Sequence, residues 1–190
     1  MITVEPIRDR EKIKEIESKL AALETQQGQR LYLLFEIGIY LARRISDMIP
    51  LRVDDLRGRQ VFSIREQKTG KRIDLPIPER LQRVLRQRLK GMAGNEYIFQ
   101  SRERDRYGRP KHISRRTGYN YVKQIAQIGE IDFPFACHSL RKTFGYHYYK
   151  RTHDIAMLME LFNHNKEKIT LRYIGIDIEE KRAALSKWEF

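Results

Sequence analysis

"RLYLLFEIGIYLA" (Arg30–Ala42) has only Arg30 and Glu36 as charged residues. A helix apolar around almost its whole circumference belongs at the centre of a structure. Working outward, Asp9 is an N-cap candidate for a helix whose Ile13, Ile16, Leu20 and Leu23 fall on one stripe. On the other side "RISDMIP" predicts a short helix that stops near Pro50. The pattern then changes. "RQVFSIRE" and "KRIDLPI" are short, alternating and β-branched, with "QKTGK" and its turn glycine between them. This predicts a β-hairpin, with a preceding strand near Leu51–Val53. After Pro78 the stripe Leu81, Val84, Leu85, Leu89 predicts a helix, and "EYIFQ" a short strand. The stretch from Ser101 to Gln124 has eight Lys/Arg and two acids. Its first half is a loop by composition, and Ser114 then suits an N-cap. Beyond Pro134 three helices fit, at about 138–150, 154–162 (capped by Asp154) and 166–174. An amphipathic stretch, "DIEEKRAALSKW", closes the chain. The reading is one domain over 1–190, mainly α with a small antiparallel β-sheet (α+β).

The 190 residues carry a formal charge of +13 and a pI of about 9.9. That excess calls for a polyanionic partner, most simply nucleic acid. No stretch is long and apolar enough for a membrane span, and the N-terminus lacks a signal-peptide core. The single cysteine, Cys137, excludes an internal disulfide framework and suits a reducing cytosol. No Cys/His spacing fits a zinc site and no Gly-rich phosphate loop appears.

Chemistry concentrates in two stretches. In "ACHSLRKTFGYHYYK" (136–150), His138 and Arg141 project together from the first helical turn, while Leu140, Phe144 and Tyr148 form a separate stripe. One face can be buried while the other presents an imidazole beside a guanidinium, a pair suited to phosphate. In "LFNHNKEKITLRYIG" (161–175), His164 precedes Tyr173 by nine residues, and a tyrosine can be a covalent nucleophile once activated. Nearby arginines are expected to lower its pKa. A Ser/His or Cys/His hydrolase built on Cys137, His138 and Ser139 is disfavoured, because adjacent helical residues point about 100° apart.

Four boxes in order, "LARRISDMIPLRVDDL", "QKTGKRIDLPI", "CHSLRKTFGYHYY" and "LFNHNKEKITLRYIGI", resemble the catalytic domain of the tyrosine recombinase (phage integrase) family. The resemblance runs from about Pro6 to Leu185. It implies that Arg44 is the first catalytic arginine and Arg43 a decoy. Lys68 matches the catalytic lysine, with Lys71 its nearest competitor. His138 and Arg141 match the His-x-x-Arg box, His164 a position that is His or Trp, and Tyr173 the nucleophile. Asp47 matches an acidic position expected to buttress the first arginine, and His147 a structural one. Two departures stand out: Ala42 replaces a small glycine, and Phe162-Asn163-His164 replaces Leu-Gly-His. Asn163 should still adopt the left-handed turn. The N-terminal core-binding domain common in the family is absent before this catalytic region, implying an excised domain or a natural minimal form.

The resemblance further implies DNA cutting and rejoining through a 3′-phosphotyrosyl link, with no metal, ATP or other cofactor. It implies a cytoplasmic, nucleoid-associated protein, weakly associated or monomeric alone and a homotetramer on synapsed double-stranded DNA. The tail from about 175 to 190, with Ala183, Ala184, Leu185 and Trp188, would either dock on a neighbouring subunit or fold back. Candidate DNA contacts are Arg104, Arg106, Arg109, Lys111, Arg115, Arg116, Tyr119, Asn120 and Lys123. A phage or mobile-element integrase leads. A chromosome-dimer resolvase, a type IB topoisomerase-like strand transferase and a catalytically idle DNA-binding module are the alternatives.

Overall fold

Helix α2 (Gln26–Leu41) begins four residues before the apolar run that marks it, because Thr25 Oγ1 accepts from Gly28 N at 3.0 Å and caps the earlier start. In a computed structural model that describes residues 4–176, 182, 183, 185 and 186, this helix lies at the centre. Leu31, Leu33, Leu34, Phe35, Ile37 and Leu41 are buried on it. It packs against α1 (Arg10–Ala21), α5 (Glu79–Arg88), α6 (Arg115–Ile128) and α7 (Cys137–Thr152). Gly38 permits the closest of these approaches: a Cβ there would lie 2.6 Å from Leu140 Cδ1 of α7. That contact fixes α7, and with it His138 and Arg141, against the core.

Helix α2 stops at Ala42, whose φ of 52° is left-handed. The chain turns into α3 (Ile45–Met48) and then α4 (Val53–Leu56). The strand expected at Leu51–Val53 reduces to one bridge between Arg52 and Tyr97. Asp55 accepts from Arg52 N at 2.7 Å and starts a helical turn before a ladder can extend. The first hairpin forms as expected, β1 (Val61–Arg65) against β2 (Arg72–Pro76), with Phe62, Ile73 and Leu75 turned inward.

Two expectations change in the next segment. "EYIFQ" is mostly not a strand. The basic stretch after it is a second hairpin rather than a loop, β3 (Gln100–Arg104) with β4 (Pro110–His112). So, among the described residues, the strands form two separate two-stranded sheets. This hairpin is mostly exposed, so no apolar alternation marks it in the sequence. Asp105 Oδ1 accepting from Tyr107 N and Arg109 N, with Gly108 at φ 74°, closes it.

Helices α8 (Ile155–Phe162) and α9 (Glu167–Ile174) follow α7. Asn163 between them is left-handed at φ 54°, the conformation the sequence demanded there. They pack on a second, smaller apolar cluster of Ala42, Tyr146, Leu158, Phe162, Ile174 and Ile176. The N-terminal segment is laced to α7: Ile7 N donates to Thr143 Oγ1 (2.9 Å), and His147 Nε2 pairs with Ile7 O (2.8 Å), a structural contact. Among the described residues no helix is long and apolar enough to cross a membrane.

Candidate active site

Three guanidiniums meet where α2 ends, α3 begins and α7 starts. Arg141 Nη1 donates to Ala42 O at 2.7 Å, which uses the carbonyl freed by the left-handed turn. Arg44 forms an ion pair with Glu66 at 2.8 Å. The same carboxylate oxygen is 3.4 Å from Arg43 and 3.8 Å from Arg141. Burial alone would raise the Glu66 carboxyl, but Arg44, the Thr69 hydroxyl and Arg141 together hold it below its usual range. A cleft of about 220 Å³ opens here, lined by Arg44, Arg115, Tyr119, His138 and Arg141 among others.

Arg43 and Arg44 divide their work by burial. Arg43 is 1% exposed and donates to Leu41 O (2.8 Å) and Leu161 O (2.9 Å), which pins α2 to the end of α8. Burial, then Arg141, pushes its pKa down to about 10. The Arg44 side chain keeps 19% of its surface exposed at the cleft. Arg141 is almost fully buried, and its Nη2 has no hydrogen-bond partner among the described residues.

Contrary to expectation, the Asp47 side chain makes no ion pair with Arg44 among the described residues. Its Oδ1 accepts from Gln67 N at 3.0 Å and ties the β1–β2 turn to α3. The buttress is Glu66, which sequence reasoning passed over because nothing local distinguishes it from other charged turn residues. Lys68 is exposed in that turn. Lys71 lies past the turn, its N–H on Thr69 Oγ1 at 3.3 Å.

The α7–α9 contact brings His138 Nδ1 to 3.2 Å from Tyr173 Oη. Burial, then Arg141 and Arg44, lowers the His138 pKa, so its neutral form, which can accept a proton, dominates at neutral pH. His164 Nδ1 pairs with Thr170 Oγ1 at 3.0 Å, and its ring meets Tyr173 edge-on at 5.3 Å. Its pKa is also lowered, first by burial and then by Arg141 and Arg44. Tyr173 departs from the expected direction. Burial raises its phenol by more than Arg141 and Arg44 lower it. Lys142, another residue the sequence did not single out, stands 5.2 Å over the Tyr173 ring.

The hydrolase alternative fails on geometry. Cys137 is buried, with its thiol pushed up to about 12, and Ser139 Oγ is occupied accepting from Ala136 N at 3.1 Å.

The candidate DNA residues fall into two groups. Arg115 and Tyr119 line the cleft, with exposed Arg116, Asn120 and Lys123 further around and along α6. Arg104, Arg106, Arg109 and Lys111 belong to the β3–β4 hairpin. There Arg106 and Arg109 flank the Tyr107 ring and Lys111 pairs with Glu103 at 2.8 Å. Of the tail residues, Ala183 and Leu185 are exposed, and Ala184 and Trp188 lie outside the described residues.

A model of the phage integrase family matches residues 11–180. The chain belongs to the phage integrase family. It is 41% identical over 184 residues to a probable integrase/recombinase, YoeC, of Bacillus subtilis strain 168, covering 97% of this chain and 96% of that protein. It is 27% identical over 171 residues to the tyrosine recombinase XerA of Pyrococcus horikoshii, covering 89% of this chain but 58% of that one. Among solved structures, a XerA recombinase superposes with a TM-score of 0.70 at 16% identity, over 100% of this chain and 68% of that one. A lambda integrase tetramer bound to a Holliday junction gives 0.63 at 17%, over 91% and 49%. This family member is an enzyme of the tyrosine recombinase type with that family's mainly helical catalytic fold.

Proposed function

We propose that the chain is the catalytic domain, residues 1–190, of a site-specific DNA recombinase that cuts and rejoins strands through a 3′-phosphotyrosyl intermediate. The carrying observation is that Arg44, Arg141 and His138 line one cleft and that Tyr173 Oη lies 3.2 Å from His138 Nδ1, a neutral-leaning base. Arg44 and the unpartnered Nη2 of Arg141 hold the two non-bridging oxygens of a phosphodiester. Removing one such donor costs roughly 10²–10³-fold in rate. Tyr173 Oη attacks phosphorus as its proton passes to His138, the bond to the 5′ oxygen breaks, and Lys68 supplies that oxygen with a proton. His164 donates to the phosphate. A 5′-hydroxyl from another strand reverses the step, so the phosphodiester bond energy is conserved. A phenol held above its ordinary pKa by burial fits a nucleophile that ionises only when its base and the phosphate are both in place.

DNA lies across α6 and the β3–β4 hairpin, where the basic side chains gather, with Tyr119 and Asn120 nearest the bases. The tetrameric lambda integrase structure, bound to a Holliday junction, supports assembly as a homotetramer on synapsed DNA. The similarity to a probable integrase/recombinase supports a phage or mobile-element origin.

The test is covalent capture. A pool of nicked duplexes is incubated with the protein, denatured, and scored for protein-linked DNA. The wild type forms the adduct and Tyr173→Phe does not; an adduct with Tyr173→Phe would overturn the assignment.

A further inference from the structure

We propose that Glu66 is a positioning residue for strand cleavage, one buried carboxylate that aligns Arg44 with Arg141 and fastens the Lys68 turn to both; this rests on the recombinase reading above. An isolated carboxylate at 1% exposure would be strongly disfavoured, and so would three clustered guanidiniums. Here each answers the other. Glu66 Oε1 faces Arg44, Arg43 and Arg141 at 2.8, 3.4 and 3.8 Å. Glu66 Oε2 faces the other way and accepts from Thr69 Oγ1 at 2.9 Å.

The backbone of the same residue closes the turn. Glu66 N donates to Lys71 O at 2.9 Å, and Gly70 N donates to Glu66 O at 2.8 Å. Lys68 is held between these bonds. The group that protonates the leaving oxygen and the groups that grip the phosphate therefore share one anchor. Arg43 extends the anchor to Leu161 O at the end of α8, the helix that leads to the nucleophile. Glu66 touches no reacting atom. Without its charge Arg44 and Arg141 repel each other, and the turn loses its tie to the arginines while keeping the one to Asp47.

The experiment measures single-turnover adduct formation on nicked duplex, with DNA affinity at fixed salt and thermal melting run in parallel. Glu66→Gln keeps the shape and removes the charge. It should slow adduct formation about 10²-fold, the order expected for a displacement near 1 Å, while DNA affinity holds. Glu66→Asp, which keeps the charge, should recover part of the rate. Thr69→Val alters an exposed side chain and leaves the arginine pairs alone, so it remains decisive if Glu66→Gln does not fold. It should slow cleavage several-fold on ordinary DNA. The loss should vanish on a substrate whose bridging 5′ oxygen is sulfur, which leaves without a proton.

A wild-type rate in a folded Glu66→Gln, or a loss that only tracks DNA affinity, overturns the role. So does a Thr69→Val rate equal to wild type. If the wild type itself gives no adduct, the recombinase reading fails first and this role falls with it. The two failures are thus told apart by the wild-type lane.

Discussion

The arginine cradle and the proposed nucleophile, Tyr173, are built on different parts of the core. Arg43, Arg44, Glu66 and Arg141 sit where α2, α3, α7 and the first hairpin join the main apolar cluster, and their charges are fixed by pairs within the protein. Tyr173 rides on α9, which packs on the small cluster around Phe162 and Ile174. Its neighbours are mostly rings: His138, Phe162 and His164, with the Lys142 ammonium above. Buried ion pairs resist displacement because separating them strands a charge, whereas ring contacts on a small cluster can slide at little cost. The lesson is a fixed charged cradle, proposed above to receive the phosphate, and a proposed nucleophile seated separately against it.

The largest expected effect breaks the cradle. Arg43→Ala leaves the carbonyls of Leu41 and Leu161 without this buried donor and takes one of three guanidiniums from Glu66, and should destabilise the fold by about 3–5 kcal/mol, read from urea unfolding. A change under 1 kcal/mol would mean the cradle is not locked. Next comes the other region. At Gly145 a Cβ would meet Ile174 Cγ2 at 2.6 Å and Phe162 at 2.8 Å, so Gly145→Ala should push α9 away. We expect a loss of about 1–3 kcal/mol and a fall in covalent capture well beyond that in DNA binding. Equal losses in both assays would erase the distinction between the regions.

A third change lies in the main core far from the cleft. Glu36 is fully buried on α2 beside Glu17 and Tyr32, its oxygens make no well-formed hydrogen bond among the described residues, and burial followed by Glu17 raises its pKa to about 8. The folded state thus holds a proton the unfolded state releases, so this stabilising contribution is complete below about 4.5 and lost as pH rises to about 8. Glu36→Gln should remove that pH-dependent loss, read as the difference in urea unfolding between about pH 5 and about pH 8.5, without changing cleavage. The smallest effect sits at the seam. His138 has a lowered pKa, so cleavage should lose its base only at pH below the ordinary 6.5. The same shift makes its stability contribution fall as pH drops below 6.5. A pH–rate profile whose acid limb lies above 6.5 would contradict the burial that sets it.

Most helices could be read from the sequence because their signals are local. Asp9, Ser114 and Asp154 each cap the helix they announce, and the stripes read for α1 and α5 turn to the core, burying Ile16, Leu20, Leu81, Leu85 and Leu89. The β3–β4 hairpin could not, since mostly exposed strands need no apolar alternation. The six recombinase-box residues were legible as an ordered set of motifs. Arg43 and Arg44 were separable only by resemblance, because two adjacent arginines look alike until one is buried.

By itself the sequence determined the helical order, the His138–Arg141 pairing on one turn, and the left-handed bend at Asn163, because these depend on residues a turn or less apart. Only the tertiary structure decided that Glu66, not Asp47, pairs Arg44, that Arg43 anchors α8, and that the Tyr173 phenol rises rather than falls. Each of those turns on how deeply a charge is buried and which distant groups share its low-dielectric surroundings, and neither is fixed until the chain has folded back on itself.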